Sequence, residues 1–596
     1  RIANEGAIFP LIKLAGSSDR DCQRCAAMAL CNLGTNLENM ANIVKQGALT
    51  PLIGMLKSNN RDVEKYASMT LCNLAAWGDN QIKIVEQGGL QPLIDVCGQD
   101  DPDCQRYAGM TLCNLATARP NRLKIVENGG LVPLVKMAAS EFLECQRASA
   151  LALFNLSCSP QNQISITAEN GPAPLIKLAR SPDVDCRRYA TMTLCNLSAN
   201  PETRTSATRG GGLQALVLVA KDADIECRRY ATIALCNLAN SPQTQVQVIV
   251  HGGLAPIMAM ANSDDIDCQR QAIMAINNLA ANEENHAVMF GKDVLKRVIQ
   301  LAQSQDQDIM QYSAFALANF SSNPESHLQL GRDGAIPPLI GLANSEDDNC
   351  RCLAIAALRR LAEYSENRYQ IVAKGVLPAL AMAGRSRELE IQREVSACLC
   401  NLSLNDQNKV AIAKSGALKP LCDLCKSEDV EVARQACGGV ANIVENVETH
   451  AYVSGSGGGS FMVGLMNHDN IDVHREASRA IANLLTSFGN HDAIIRDGIP
   501  GLVHLAVSAD LECQYHGALA FRKLAPNLDS HKRIIDAGGL QSLFTLIGVN
   551  DLKIQRQAAT ALRDVAANDL FKIQFVDGRW GLDAMIELSK DDNVGF

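Results

Sequence analysis

Aromatic residues are scarce in this chain of 596 residues: they make up 4% of it, with only two tryptophans. A core built with few rings must rely on Leu, Ile, Val, Ala, Met and Cys, which suits closely packed helices. Long hydrophobic runs are missing too. No stretch reaches the roughly 18 consecutive apolar residues of a membrane-spanning helix, so direct membrane insertion is not expected. Nor is there an excess of basic charge: the net charge is −9 and the pI about 5.7, which argues against nucleic acid as the main partner. Catalytic signatures are absent as well, with no HExxH, no GxSxG, no GxxxxGK followed by Ser or Thr, and no GxGxxG between a strand and a helix. The ten histidines look scattered, and His251, His474 and His516 have no repeated carboxylate, Ser or Cys partner. Catalysis, a cofactor and a metal site are not expected.

What the chain does have is a repeat. Cys-Asn-Leu recurs at Cys31-Asn32-Leu33, Cys72-Asn73-Leu74, Cys113-Asn114-Leu115, Cys195-Asn196-Leu197, Cys236-Asn237-Leu238 and Cys400-Asn401-Leu402. Degenerate copies stand at Asn155, Asn278, Asn319, Asn442 and Asn483, and three more keep the register with Arg360, Lys523 and Asp564. From Asn32 to Asp564 there are thirteen steps; twelve are 41 residues and one, Asn483 to Lys523, is 40. A period of this size predicts a solenoid of stacked helical units, one body whose core grows with copy number. The 22 cysteines follow the same period. Eight stand ten residues before the anchor, at Cys22, Cys104, Cys145, Cys186, Cys227, Cys268, Cys350 and Cys513, in a slot that other copies fill with Val or Ile. That alternation marks a small buried position and reduced thiols, hence a cytosolic compartment. Cys22-x-x-Cys25 and Cys422-x-x-Cys425 have the spacing of half a zinc site, but no second ligand pair follows.

One unit can be read from residues 80 to 118. Asn80–Glu86 forms a short helix with Ile82 and Val85 inward. Gly88-Gly89 ends it with a sharp turn. A second helix starts at Leu90, with Pro92 in its first turn, where a missing N–H costs least. Acidic residues in the turn Gln99–Asp103 are placed to cap a third helix, expected from Asp103 to Ala116. Its apolar residues Cys104, Ala108, Thr111, Leu112 and Leu115 recur at three- and four-residue steps. The run Ser454–Ser460 is linker-like in composition, yet Asn442 to Asn483 is still 41 residues. It is therefore expected to be a soft turn between the first two helices of its unit, with weak packing and nothing inserted.

The three-helix unit, the paired glycines, the Asp-Cys-Gln-Arg start and the Asn-Leu end together resemble the armadillo repeat over essentially the whole chain. The resemblance implies an all-α, right-handed superhelical solenoid of about fourteen units, plus a partial one from about Phe571. It implies a continuous array over residues 1–596, truncated at both ends. The chain opens partway through a repeat at Ile2-Ala3-Asn4-Glu5-Gly6 and closes partway through another near Trp580-Gly581-Leu582. A lipid anchor on a preceding N-terminal segment is compatible with such an array.

In armadillo proteins the third helices line a concave groove, and a ladder of Asn side chains grips the backbone of an extended peptide. An amide offers both donor and acceptor, matching a peptide unit without demanding one sequence. The implied protein-binding residues are Asn32, Asn73, Asn114, Asn155, Asn196, Asn237, Asn278, Asn319, Asn401, Asn442 and Asn483. Tyr107, Tyr189 and Tyr230, with Arg106, Arg188 and Arg229 one position earlier, make a rim for an acidic or aromatic segment. The alternative is that each Asn bonds the backbone of the next repeat and keeps the stack in register. Likewise, the arginines would pair with the acid three positions before them, such as Asp103, Asp185 or Asp267. The main groove is expected over residues 1–320, divided from a second stretch (Asn401, Asn442, Asn483) by Arg359 and Arg360.

The expected function is a scaffold or adaptor that holds extended segments of partner proteins. In style the chain is most similar to long armadillo-only scaffolds of the vacuolar type, cytoplasmic and tethered to membranes; a ciliary or axonemal docking protein is the alternative. An importin-α-like receptor would place Trp four residues before the ladder Asn. Here that slot holds Met28, Met69, Met110, Leu151, Met192, Ile233, Met274 and Phe315. A β-catenin-like binder would need a strongly basic groove, which the arginine series supports in part and the net charge opposes.

Overall fold

The computed structural model describes residues 3, 5–290, 293–466 and 468–568; the partial unit expected from Phe571, and Trp580, lie outside them. Helices and turns make up the described residues, and no strand occurs among them. The chain divides into two compact bodies, Arg1–Val288 and a second beginning at Met289. Each is a stack of three-helix units with seven third helices. In the first body these run from Arg20–Leu33 to Ile266–Ala280, and in the second from Gln307–Phe320 to Leu552–Ala566.

The unit read from sequence appears as three helices, Gly78–Glu86, Leu90–Cys97 and Pro102–Thr117. Gly88 takes φ +80°, and a Cβ on Gly89 would lie 2.8 Å from the Ile84 carbonyl oxygen, so this corner admits only glycine without strain. The third helix buries Cys104, Ala108, Thr111, Leu112 and Leu115, the face its spacing predicts. Asp101 accepts the backbone N–H of Cys104 at 2.8 Å and caps that helix. Twelve of the fourteen third helices have such an Asp or Asn cap; those after Phe142 and Glu388 do not.

Within each body successive third helices pack directly on one another, so each unit buries on its neighbour the face it cannot cover alone. Leu71, Leu74, Ile84, Leu93, Leu112 and Leu115 are fully buried, and each such side chain contributes about 1.5–3 kcal/mol. The Ser454–Ser460 run spans the end of a helix, Ser456 and Gly457, and the start of the next helix at Gly458. Gly458 is buried there and Ser454 donates to Asn490 Oδ1 at 2.6 Å. The run lies within the second body.

Candidate functional site

The anchor Asn sits near the C-terminal end of each third helix, three quarters of the way along a face that starts at the helix cap. In the first body these side chains are half-buried, except the exposed Asn32 of the first unit. Their amide nitrogens reach back to the preceding unit. Asn73 donates to Cys31 O at 3.1 Å, Asn114 to Cys72 O at 3.1 Å and Asn155 to Cys113 O at 3.2 Å. In the next units a serine hydroxyl takes over as acceptor: Ser157 Oγ for Asn196 at 2.9 Å and Ser198 Oγ for Asn237 at 3.3 Å. Asn278 bonds the Asn240 side chain. From Asn73 to Asn278 the amide nitrogen is thus spent on stacking, and in Asn73, Asn114 and Asn155 it also reaches the sulfur of the same cysteine at 3.3, 4.0 and 3.4 Å. No protein donor reaches Oδ1 of Asn73, Asn114, Asn155, Asn196 or Asn237 among the described residues, and none of these oxygens is sealed from solvent. Each amide is half structural and half open.

In the second body Asn319 and Asn401 are half-buried, and Asn401 donates to Arg359 O at 3.2 Å. Asn442 is buried and fully engaged: it donates to Ser403 Oγ at 3.0 Å, and its Oδ1 accepts from Arg479 at 2.8 Å. Arg479 is held in turn by Glu445 and Glu476. Asn483 is half-buried. Arg360 does not interrupt the inter-unit bond, because its guanidinium donates to Ala318 O at 3.2 Å. Lys523 does the same to Ala482 O at 2.8 Å. These cations replace the amide as donor and remove the acceptor.

Tyr107, Tyr189 and Tyr230 lie half-buried two turns before their anchors, with the Tyr189 ring 6.1 Å from that of Phe154. The slot four residues before the anchor puts Met28 and Met110 at 42% and 37% exposure, so thioethers rather than rings face outward between the amides. The arginines are mostly committed: Arg24, Arg147 and Arg270 pair with the acid three residues before them, as the sequence suggests, and others reach an acid of the next unit. Arg188 pairs with Asp224, the cap of the next third helix, at 2.5 Å, not with Asp185. Arg147 pairs with Asp183 at 2.5 Å in the same way, and also with Glu144 at 3.1 Å. Arg106 stands 3.7 Å from Glu144, while Asp103 is taken by Lys65. Arg270 does pair with the acid three residues before it, Asp267, at 2.9 Å. Arg229 is exposed with no carboxylate within 4.0 Å. The arginine beside Asp183, Asp224 and Asp510 holds each carboxyl well below the usual carboxylate range, helped by the capped backbone N–H.

Two periodic features escape a reading centred on the Cys-Asn-Leu anchor. Seven residues after the anchor runs a second ladder of Asn, Thr or Ser, from Asn80, Asn121 and Asn162 through Thr203 and Thr244 to Asn367, Asn408 and Ser530, all essentially buried. Asn121 donates to Leu115 O at 3.1 Å and to Gln81 O at 3.2 Å, tying the third helix to the following first helix and that helix to its predecessor. The next slot holds His286, His327, His450, His491 and His531, each bonded through Nε2 to a carbonyl six residues earlier. Half of the ten histidines therefore occupy one repeat position, and their spacing of 41 was the available signal. Cys422 and Cys425 are both buried; Cys22 is half-buried and Cys25 exposed.

Comparison with known families matches residues 405–445 to the Armadillo/beta-catenin-like repeat and residues 211–306 to an Armadillo-like model. Among solved structures, an engineered protein from the Northeast Structural Genomics Consortium is 27% identical, with a TM-score of 0.55 over 66% of this chain and 98% of its own. A designed armadillo repeat protein is 22% identical, with a TM-score of 0.37 over 39% of this chain and 99% of its own. No curated protein matches. Residues 211–306 and 405–445 thus carry armadillo repeats, and the same 41-residue three-helix period runs through the described residues on either side of them. Armadillo solenoids are general protein-binding scaffolds and typically not enzymes. No helix among the described residues is long and apolar enough to cross a membrane.

Proposed function

We propose that the protein is an adaptor that holds an extended segment of a partner along the third helices of its first body, with Asn73, Asn114, Asn155, Asn196 and Asn237 as backbone clamps. The observation that carries this reading is the divided amide. The amide nitrogen is used on the preceding unit, which fixes the side chain, while Oδ1 faces solvent without a donor. A peptide N–H satisfies that oxygen. Pre-orientation by the stacking bond lowers the entropy lost on binding. The half-exposed methionines between the amides favour an adaptable apolar contact over an aromatic cage. The pairing of most arginines to neighbouring carboxylates argues against a strongly basic trough for acidic tails. Asn442, closed by Arg479, drops out of the proposed set. Thiols that serve as buried packing groups favour a reducing, cytoplasmic setting.

The test is a peptide-display selection against the whole chain, followed by anisotropy titration of the selected peptide with the triple variant N114A/N196A/N237A. At least a tenfold loss of affinity is expected, alongside a lower melting temperature from the lost stacking bonds. A lower melting temperature with unchanged affinity would leave the amides a purely stacking role and overturn the clamp.

A further inference from the structure

We propose that the crevice between the fifth and sixth units binds a phosphomonoester. It has a volume of about 470 Å³ and lies on the first and second helices, separate from the third-helix amides. Three cations line it from two different units. Lys177 and Arg180 project from the end of the fifth unit's second helix, and Arg209 from the segment that replaces the sixth unit's first helix.

That segment is irregular for a reason visible in its residues. Thr203–Gly212 contains three threonines and three glycines, all poor helix formers. Where neighbouring units have a nine-residue helix, Pro160–Ala168 or Pro242–Val250, this one has two 3-10 turns, Arg204–Ala207 and Arg209–Gly211. Gly210 and Gly211 both take positive φ, +61° and +88°.

A crevice in the same place, about 460 Å³, occurs five units later, lined by Pro378, Met382 and Arg385. The space therefore belongs to the stack, and its chemistry is set locally. At the three slots of Lys177, Arg180 and Arg209, the preceding unit has Lys136, Ala139 and Ala168, and the one before that has Asp95, Gly98 and Glu127. The following unit has Leu218, Lys221 and Val250. No other set of these slots along the described chain carries three cations.

The three charges are also unspent. Among the described residues none of them has a carboxylate within 4.0 Å, whereas Lys136, one unit earlier, pairs with Asp100 at 2.9 Å. Arg180 Nη2 donates to Gly211 O at 3.0 Å, which holds the guanidinium across the crevice with its other N–H groups free. Two hydroxyls line the same space: Thr167 Oγ1, which is buried without any partner, and Ser206. Two guanidiniums, an ammonium and two hydroxyls present more donors than the two oxygens of a carboxylate can use, and they suit a dianion with three terminal oxygens. In a chain of net charge −9 such a cluster is a local field of opposite sign. The volume leaves room for the carrier of the phosphate as well as the group itself.

The phosphate can come from a free metabolite or from a phosphorylated side chain of a partner, and titration calorimetry of the whole chain separates the two. The probes are inorganic phosphate, a phosphoserine pentapeptide, its unphosphorylated form, and acetate. Saturable binding of a phosphate probe is expected, with none for the unphosphorylated peptide. Tighter binding of the phosphopeptide by tenfold or more assigns the site to a protein partner; equal binding assigns it to a small molecule. The double variant K177Q/R209Q, exposed at both positions, should weaken binding at least tenfold with an unchanged melting temperature, and R209K should retain most of it. Acetate binding as tightly as phosphate, no saturable binding by either phosphate probe, or wild-type affinity in K177Q/R209Q would overturn the proposal.

Discussion

A side-chain amide does two jobs in this molecule, and burial decides which. At Asn121, 1% exposed, both N–H groups go to backbone carbonyls, one on Leu115 and one on Gln81. At Asn114, seven residues earlier, solvent reaches the side chain and a single carbonyl, that of Cys72, accepts from the amide. Thr203 and Thr244 occupy the Asn121 slot in later units, but a hydroxyl has one donor: each bonds the carbonyl six residues back, Thr244 shares its hydroxyl with Ser241 O, and neither reaches the preceding first helix. This difference gives a graded expectation. Asn121→Ala should leave the Leu115 carbonyl without a donor and the Gln81 carbonyl with only its own helix's N–H, and cost about 2–3 kcal/mol; Asn121→Thr should keep one bond and cost about 1 kcal/mol. Because long arrays do not unfold in one step, the measurement is hydrogen-exchange protection of residues 78–127. Equal loss in the two variants would show that the bond threonine retains, to the Leu115 carbonyl, contributes nothing.

At the scale of the helix, the aspartate at the start of the third helix joins capping to stacking. Asp224 accepts the backbone N–H of Cys227 at 3.0 Å through Oδ1 and the guanidinium of Arg188 from the preceding unit through both oxygens. Asp224→Asn should keep the cap and lose the ion pair, whereas Asp224→Ala loses both. The alanine variant is therefore expected to be less stable than the asparagine variant by about 1 kcal/mol, the value of a cap, read from hydrogen-exchange protection of residues 225–239. Such local elements were legible in the sequence. The third helix expected over Asp103–Ala116 runs Pro102–Thr117, and the cysteine slot ten residues before the anchor is mostly buried, because both follow from the spacing of apolar residues along one helix. Contacts between units were less legible. Arg188 finds its acid 36 residues ahead instead of three behind, and Asn114 finds its carbonyl 42 residues back. Both partners depend on how far one unit rises and rotates on the next, which helical periodicity does not specify. The buried ladder at Asn80 and Asn121 was hidden for another reason: Asn, Thr and Ser alternate there, so identity is lost while donor chemistry is kept.

Over the whole molecule, the two bodies carry different acid-sensitive groups, and the sign of each can be worked out. Burial holds His516 down to about 4, and also lowers His450 and His474, the latter stacked on His504 with ring centroids 5.6 Å apart. All three lie in the second body. A histidine that stays neutral when folded but takes a proton when unfolded contributes stability above its unfolded pKa of about 6.5; that contribution is lost as pH falls toward the folded value. The depressed carboxyls act in a lower window. Asp183 and Asp224 in the first body, and Asp510 in the second, are held below the normal range by their arginines. Their contribution is complete above about pH 4 and is lost as pH drops further toward their folded values. Each of these pairs bridges two units, so its loss weakens a stacking interface and not one helix alone. Acidification from pH 7 to 5 should therefore loosen residues 430–530 while 20–280 hold, and both should loosen below about pH 4. Hydrogen exchange corrected for its intrinsic pH dependence reads this directly. Earlier loss of protection in 20–280, or no loss in 430–530 by pH 5, would mean that the buried imidazoles of the second body do not govern its acid response.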